Sequence, residues 1–392
     1  MAPPGLVAAA AVGLGLTAVF AGCGDDGPAG GDATILRIDP ATGDELWRQD
    51  THGYIIDIPA LLGDVVIVYG YDRLYAFDAH DGQELWTIAE TDSSGQVPST
   101  PADGVVLVSG LRPDERTNLA PLLAVDLTTG EERWRAGCVP GGYGYRVAAV
   151  GGGLVFLAST CLGQGEPVTE IVAYEAATGR ERWRSGDLQY RNDGEGYAIG
   201  LATAPFYVSG LVVFANHDSK VWALDAGTGE VAWSRQVATP PYSAQIVPGQ
   251  DMIFVWPQQE SVVIALDAAT GDELWRLETI RPAAGPIALG NHYHPLAAGG
   301  LAYVFETPSR LVALEAKTGA EVWSAEVDAG LLAADGDALY VGGFNSILAL
   351  DVHSGATLWE RTYQGVDGYF QLAASDGSLF ATVSGEAPPY RD

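Results

Sequence analysis

Three cysteines and one pair of histidines carry the most specific chemistry in this chain of 392 residues. Cys23 follows an apolar segment, and Cys138 and Cys161 are the thiols left to form a disulfide. His292 and His294 are spaced like two metal ligands, but the spacing supplies no third ligand, so we expect no metal site. No Ser/His/Asp arrangement or phosphate-binding glycine motif stands out among the many turn glycines.

The segment before Cys23 predicts export. Residues 6–20 form an apolar run of signal-peptide length that is too short to span a membrane. The run ends in Phe20-Ala21-Gly22-Cys23, which resembles a bacterial lipobox, the sequence at which a diacylglycerol is attached to the cysteine. Phe20 stands where Leu is usual, and no Lys or Arg precedes the run. The alternative, a core helix with a buried thiol, fits this Gly- and Ala-rich segment poorly.

The N-terminal part is therefore predicted to direct export and lipid attachment. We expect a lipoprotein signal peptide at residues 1–22, a flexible tether at 23–33 and a folded domain at 34–386. The mature protein is expected to be extracytoplasmic and anchored to a bacterial membrane through Cys23, without spanning it.

One motif occurs eight times along the folded part. Its consensus reads Ala-x-Asp-x-x-Thr-Gly-x-x-x-Trp, with the acidic residue four positions before the glycine and the tryptophan four positions after it. The acids are Asp39, Asp78, Asp126, Glu175, Asp225, Asp267, Glu315 and Asp351. The glycines are Gly43, Gly82, Gly130, Gly179, Gly229, Gly271, Gly319 and Gly355. The tryptophans are Trp47, Trp86, Trp134, Trp183, Trp233, Trp275, Trp323 and Trp359.

The motif predicts a β-hairpin. Alternating apolar residues form its first strand, the acid accepts backbone N–H bonds at the turn, and the glycine supplies the residue with positive φ. The tryptophan lies on the returning strand, where its large apolar surface is predicted to dock against the adjacent repeat.

The repeat length predicts the fold. Successive motif tryptophans lie between 36 and 50 residues apart, which fits four-stranded propeller blades better than helical solenoids. Residues 35–47 form a motif hairpin with no hairpin before it, and residues 369–384 form a hairpin with no motif after it. Joining these two hairpins gives an all-β, eight-bladed propeller of four-stranded antiparallel blades, which we expect to be monomeric.

The two internal cysteines flank one predicted hairpin. Cys138 precedes its first strand and Cys161 follows its second strand, so the thiols are expected to face each other across the glycine turn. Export favours a disulfide between them. Two free thiols are the alternative.

The tryptophan motif resembles the eight-bladed, quinoprotein-like (PQQ-like) propeller family, and the resemblance covers nearly all of the mature chain. That family includes quinone-dependent alcohol dehydrogenases, sensor domains and the propeller lipoprotein subunit of the outer-membrane barrel-assembly machinery, so the fold does not fix the function. The dehydrogenases are usually longer and typically carry two adjacent cysteines over the quinone. This chain has no adjacent cysteines. We therefore predict a non-catalytic scaffold, with a dehydrogenase using pyrroloquinoline quinone and Ca²⁺, or a ligand sensor, as alternatives.

A partner is predicted on one face of the ring. The connections from the last strand of one blade to the first of the next share a face with the loops between second and third strands. These connections are rich in tyrosine and arginine, which protein interfaces favour, although tyrosines can also pack within their own loops or plug the channel. We expect a protein or peptide of the cell envelope to contact Tyr143, Tyr145, Tyr190, Arg191, Tyr242 and Tyr293.

The charge balance excludes one class of partner. The chain has 50 acidic and 20 basic residues, and a surface of this charge repels nucleic acid.

Overall fold

The computed structural model describes residues 33–51, 55, 58–70, 73–89, 104–108, 122–136, 149–161, 168–186, 205–216, 219–238, 244–249, 251–257, 260–279, 295–328, 330–366 and 368–383. Every regular element within these ranges is a β-strand. No helix in the described ranges is long and apolar enough to cross a bilayer. Cys23, the predicted signal peptide and residues 23–32 of the predicted tether lie outside them, whereas Ala33, which was predicted to end the tether, is the first residue of a strand.

The described residues form thirty-one strands. In order they are β1 (Ala33–Ile38), β2 (Glu45–Thr51), β3 (Ala60–Leu62), β4 (Val65–Tyr69), β5 (Arg73–Asp78), β6 (Glu84–Ala89), β7 (Val105–Val108), β8 (Leu122–Asp126), β9 (Glu132–Ala136), β10 (Ala149–Gly151), β11 (Leu154–Cys161), β12 (Val168–Glu175), β13 (Glu181–Arg184), β14 (Phe206–Val208), β15 (Leu211–Ala215), β16 (Lys220–Asp225), β17 (Val231–Gln236), β18 (Ala244–Pro248), β19 (Met252–Pro257), β20 (Val262–Asp267), β21 (Glu273–Glu278), β22 (Leu296–Ala298), β23 (Leu301–Thr307), β24 (Arg310–Glu315), β25 (Glu321–Glu326), β26 (Leu331–Asp335), β27 (Ala338–Gly342), β28 (Ser346–Asp351), β29 (Thr357–Thr362), β30 (Gln371–Ser375) and β31 (Ser378–Val383).

The strands form eight antiparallel sheets, and each sheet is one blade of a propeller. Six blades each take four consecutive strands, and in the described residues the blade of β7, β8 and β9 contributes three. The remaining blade has the order β2-β1-β31-β30, so that strands from the two ends of the chain share one sheet. The all-β, eight-bladed fold predicted from the sequence is confirmed, including its closure by the N-terminal hairpin.

The closing blade joins the chain ends through a continuous backbone ladder. Its central pairing runs from Thr34 opposite Val383 to Ile38 opposite Leu379. Because β1 and β31 lie in the middle of this sheet, neither strand is left as an open edge, and the ring is closed by hydrogen bonds.

The motif hairpins have the predicted turn geometry. All eight motif glycines have φ between 69° and 76°, the left-handed region that glycine adopts readily. In each hairpin the glycine N–H donates to the carbonyl of the acidic residue at 2.8 or 2.9 Å. The register shifts by one residue just before each turn, which is a β-bulge beside a glycine in the left-handed conformation.

The acidic residues behave in two different ways. In each of the six copies with aspartate, one carboxylate oxygen accepts the next two turn N–H groups, as at Asp39, which binds the N–H groups of Ala41 and Thr42 at 2.8 and 3.1 Å. Glu175 and Glu315 differ from the aspartates. Their longer side chains instead accept the threonine hydroxyl of the turn, at 2.7 and 2.6 Å.

Each motif tryptophan contacts the next blade. Its ring lies over the next motif glycine, where an added Cβ would lie 2.5 to 2.8 Å from the nearest ring atom for seven of the rings and 2.6 Å for Trp359 over Gly43. The indole N–H also donates to a backbone carbonyl of the next motif turn, at 2.7 to 3.2 Å. The series closes on itself, because Trp359 donates to Pro40 in the first motif. The glycine therefore has two roles: it adopts the positive φ of the turn, and its lack of a side chain leaves room for the neighbouring tryptophan ring.

Candidate functional site

Strand direction divides the ends of the blades between two faces. The tight turns within each blade's first and last hairpins lie on one face. The loops between second and third strands, and the connections between blades, lie on the opposite face, which we call the loop face.

The structure does not describe the residues proposed as partner contacts. Tyr143, Tyr145, Tyr190, Arg191, Tyr242 and Tyr293 lie outside the described residues. The same holds for Cys138, His292 and His294, whereas Cys161 is the last residue of β11 and pairs with Val168. The disulfide, the lipidated cysteine and the tyrosine contacts all stay predictions.

One sector of the loop face is described almost completely. It consists of the turn 343–345, which joins β27 to β28, and the connection 363–370, which leads from β29 into the closing blade, and we call it the seam sector. The turn and the connection belong to neighbouring blades, so their contacts join the closing blade to the blade of β26–β29.

An exposed aromatic pair lies at the centre of the seam sector. Phe344 and Tyr369 have ring centroids 5.5 Å apart and an interplanar angle of 76°, an edge-to-face arrangement that aromatic pairs prefer. Phe344 is 53% exposed and Tyr369 is 38% exposed, although both are large apolar rings. Their backbones form an isolated antiparallel bridge. Two rings from different blades are thus fixed beside each other at the surface.

Asn345 holds the two segments together. Its side-chain Oδ1 accepts the N–H of Gly368 at 2.9 Å, and its own N–H donates to the Gly368 carbonyl at 2.9 Å. Its carbonyl accepts the N–H of Tyr363 at 2.9 Å. Asn345 has φ 56°, and asparagine tolerates the left-handed region better than most residues. One residue therefore makes three bonds that fix the position of Phe344.

Two further aromatic rings of the seam sector are buried. Phe370 is fully buried and lies edge-to-face with Tyr363, with centroids 5.3 Å apart. The Tyr363 hydroxyl donates to the carbonyl of Gly43 at 2.9 Å, and burial raises the pKa of this hydroxyl well above its usual value. Tyr363 therefore belongs to the buried core between the closing blade and the blade of β26–β29, and it does not contribute a ring to the exposed surface.

The backbone of the seam sector is closely packed as well. A Cβ at Gly342 would lie 2.3 Å from the carbonyl oxygen of Phe370 in the next blade. The Phe370 N–H donates to the carbonyl of Gly343 at 3.2 Å. Farther out, Arg48 donates to the carbonyl of Gln364 at 3.2 Å. The connection is therefore held at its start, its middle and its end.

Phe344 and Tyr369 were not predicted as partner contacts, because the sequence-based prediction rests on tyrosines in the long connections between blades. The available signal was local: Gly342-Gly343-Phe344-Asn345 places a single large apolar residue within a turn between two strand patterns. Its partnership with Tyr369 could not be found in this way, because the two residues belong to different blades.

Within the described ranges, no group of three or more His, Cys, Asp or Glu side chains is placed to hold a metal ion.

Comparisons with known proteins agree with this architecture. The family model described as outer membrane protein assembly factor BamB matches residues 19–115, 120–255 and 258–382. The serine/threonine-protein kinase AfsK of Streptomyces coelicolor is 30% identical over 112 residues, which are 28% of this chain and 12% of the kinase. The chain thus spans about an eighth of that protein's length.

Solved structures with the same fold include proteins of two functional kinds. BamB from Moraxella catarrhalis has a TM-score of 0.55 and 16% identity, and the alignment covers 89% of this chain and 98% of that one. A quinohemoprotein alcohol dehydrogenase from Pseudomonas putida HK5 has a TM-score of 0.55 and 16% identity, with 92% and 78% covered. At these identities the likeness shows the fold alone. The family model, by contrast, matches most of the chain, and the protein therefore belongs to the family of the outer membrane protein assembly factor BamB.

Proposed function

We propose that this protein is an exported, lipid-anchored and non-catalytic propeller scaffold that binds a protein or peptide partner through its loop face. The expected setting is the assembly of envelope or outer-membrane proteins, which is the role stated in the name of the matching family. The anchor is the diacylglycerol expected on Cys23, and the membrane that carries it is left open.

The observation that carries the proposal is the Phe344–Tyr369 pair. Two large rings are exposed at the surface and are fixed by backbone and side-chain bonds, so a partner that covers them gains apolar burial without ordering a loop. Burying a fully exposed phenylalanine side chain is worth about 1.5 to 3 kcal/mol, so covering these partly exposed rings contributes roughly half of that for each ring.

The six contacts predicted from the sequence are a second reason to propose the loop face as the binding surface. Residues 137–148, 187–204, 239–243 and 280–294 connect neighbouring blades, as does the seam sector, and they contain all six predicted contacts. Loops that share one face of a rigid ring commonly carry the binding function of a fold. The proposed surface therefore consists of the exposed aromatic pair together with Tyr143, Tyr145, Tyr190, Arg191, Tyr242 and Tyr293.

The test compares the aromatic pair with an exposed apolar residue on the blade that carries Phe344. Phe344→Ala combined with Tyr369→Ala should lower the yield of a partner crosslinked in the native membrane and captured with the acylated protein. Leu358→Ala is the matched control, because Leu358 is 52% exposed and lies on the outer strand β29. An unchanged yield for the double variant, and for Tyr145, Tyr190 and Tyr242 changed together to Ala, would show that the loop face is not the binding site.

A second candidate is an oxidoreductase that uses pyrroloquinoline quinone and Ca²⁺, because quinohemoprotein dehydrogenases share the fold. The sequence has no two adjacent cysteines, which dehydrogenases of this fold typically carry over the quinone, and this is the feature that makes the oxidoreductase the second candidate here. The alternative predicts that added quinone and Ca²⁺ raise the melting temperature by mass action.

A third candidate is a sensor of a small ligand. It predicts that another small molecule raises the melting temperature and that the quinone does not.

A further inference from the structure

The chain enters the propeller on the loop face. β1 is the third strand of the closing blade, and its first residue, Ala33, pairs with Thr51 at the end of β2. The Thr51 hydroxyl also donates to the Ala33 carbonyl at 3.2 Å. On the other side Thr34 pairs with Val383, the last residue of β31. Both partner strands end where the chain continues onto the loop face, so the segment that precedes Ala33 leaves from that face.

The predicted tether is short compared with the propeller. Residues 23–32 separate the lipid site from Ala33. A chain of ten residues spans at most about 35 Å when fully extended. A flexible chain of that length has a root-mean-square span of about 17 Å.

A route from Ala33 to the opposite face is longer than this average span. The segment would have to pass outside strand β2 and then run along the full length of a blade strand. Six residues of a strand rise about 20 Å, and crossing to the outside of the next strand adds about 5 Å. The tether could reach a bilayer on the tight-turn side only by keeping its ends about 25 Å apart, well beyond its average span of about 17 Å, which is entropically unfavourable.

The exposed aromatic pair lies close to this exit. Tyr369 precedes β30, which is separated from β1 in the sheet by β31 alone. Adjacent strands are about 4.8 Å apart, so the pair lies on the order of 10 Å from the point where the tether leaves. A membrane reached by the tether is therefore on the side of the propeller that carries the pair.

A protein is a better occupant for the pair than the lipid itself. The chain has a formal net charge of −30, and Lys220 and Lys317 are its two lysines. Binding to an anionic lipid surface relies on clustered basic residues, and a surface with this charge is repelled by it.

We propose that the propeller is held with its loop face toward the membrane, so that the Phe344–Tyr369 pair meets a protein lying in or on that same membrane. This inference rests on the proposed lipid anchor at Cys23. It goes beyond the proposed function because it fixes the orientation of the ring and restricts the partner to the space between the ring and the bilayer.

The experiment measures the distance of each face from the bilayer. The acylated full-length protein carries a donor dye on an unnatural azide residue, placed either at Ser309 or at Lys317, and is reconstituted into phosphatidylcholine vesicles with an acceptor on the lipid headgroups. The two sites are both exposed and flank the same strand, β24, with Ser309 on the loop face and Lys317 on the tight-turn face. β24 is the third strand of its blade, as β1 is of the closing blade, so the sites have comparable distances from the propeller axis.

We expect energy transfer to be several-fold more efficient from position 309 than from position 317. Inserting twenty Gly and Ser residues between Gly31 and Asp32 should reduce this difference, because a long tether no longer restricts orientation. Equal transfer from both positions, or stronger transfer from 317, would overturn the orientation.

Flotation of the vesicles separates the possible failures. If the acylated protein does not float with the vesicles, the anchor itself is refuted, and the proposed function loses its membrane attachment. If it floats but the two dyes report equal transfer, the anchor holds and only the orientation fails. If the Cys23→Ala protein floats and Phe344→Ala abolishes this binding, the pair inserts into lipid and the protein occupant is refuted.

Discussion

Gly355→Ala tests how the blades are joined. The nearest atoms to a Cβ at Gly355 all belong to the Trp323 ring of the preceding blade, the closest at 2.6 Å. Both the residue's φ of +69° and this contact oppose a side chain. Gly377 provides the matched control, because its φ is +72° and nothing lies within 4 Å of its added Cβ.

The expected magnitudes differ because the two substitutions share only one of the two effects. A left-handed conformation disfavours alanine by about 1 to 2 kcal/mol, which applies to both glycines. Crowding a packed ring adds about 1 to 3 kcal/mol, which applies to Gly355 alone. We therefore expect Gly377→Ala to lower the free energy of unfolding by about 1 to 2 kcal/mol. For Gly355→Ala we expect a loss of about 2 to 5 kcal/mol.

The assay is urea denaturation of both variants and the parent protein, followed by tryptophan fluorescence and by far-ultraviolet circular dichroism. The midpoints are compared where the slopes agree, since a change of slope would mark a change in cooperativity. Equal midpoints for Gly355→Ala and Gly377→Ala would refute the idea that the motif glycine is required to leave room for the neighbouring tryptophan ring.

Three further predictions concern single side chains. Asn345→Ala should lower the free energy of unfolding by about 1 to 2 kcal/mol, measured by thermal unfolding. Asn345→Gly should lower it less, because glycine tolerates the positive φ of this position. Equal losses of unfolding free energy in the two variants would contradict this. Tyr363→Phe should cost about 1 kcal/mol, because the Gly43 carbonyl loses its donor, and an unchanged melting temperature would show that water replaces the hydroxyl. Glu175 is bonded to two arginines and a threonine, which lower its pKa from 4.5 to about 2, so its stabilising effect should be complete above pH 4.5 and lost as the pH falls toward 2. The denaturation midpoints of the parent protein and of Glu175→Gln should accordingly differ at pH 6 and converge near pH 2, and a constant difference across this range would contradict the assignment.

The blade count and the ring closure followed from the sequence because their signals are local. The acid, glycine and tryptophan of each motif lie within nine consecutive residues, and a β-bulged hairpin imposes those offsets on any chain that forms it. The hairpins without partners at residues 35–47 and 369–384 then left one way to complete eight blades. No knowledge of contacts between blades was needed for either step.

The chemistry of the turn was predicted less completely. Aspartate at the first turn position gave the expected bonds to backbone N–H groups, but Glu175 and Glu315 bind a threonine hydroxyl. One additional methylene changes where a carboxylate can reach, and the sequence pattern treats both residues as equivalent acids. The difference is one of side-chain length, which becomes visible only when the turn has coordinates.

The sequence by itself determined the repeat, the hairpin that each repeat forms and the need for the chain ends to share a blade. Only the tertiary structure decided which surfaces meet: Trp323 over Gly355, the Tyr363 hydroxyl on Gly43, and Phe344 beside Tyr369. These contacts join residues of neighbouring blades, and Tyr363 and Gly43 are 320 positions apart in the chain. Backbone periodicity carries no information about such pairs, because their positions depend on how the blades are packed around the ring.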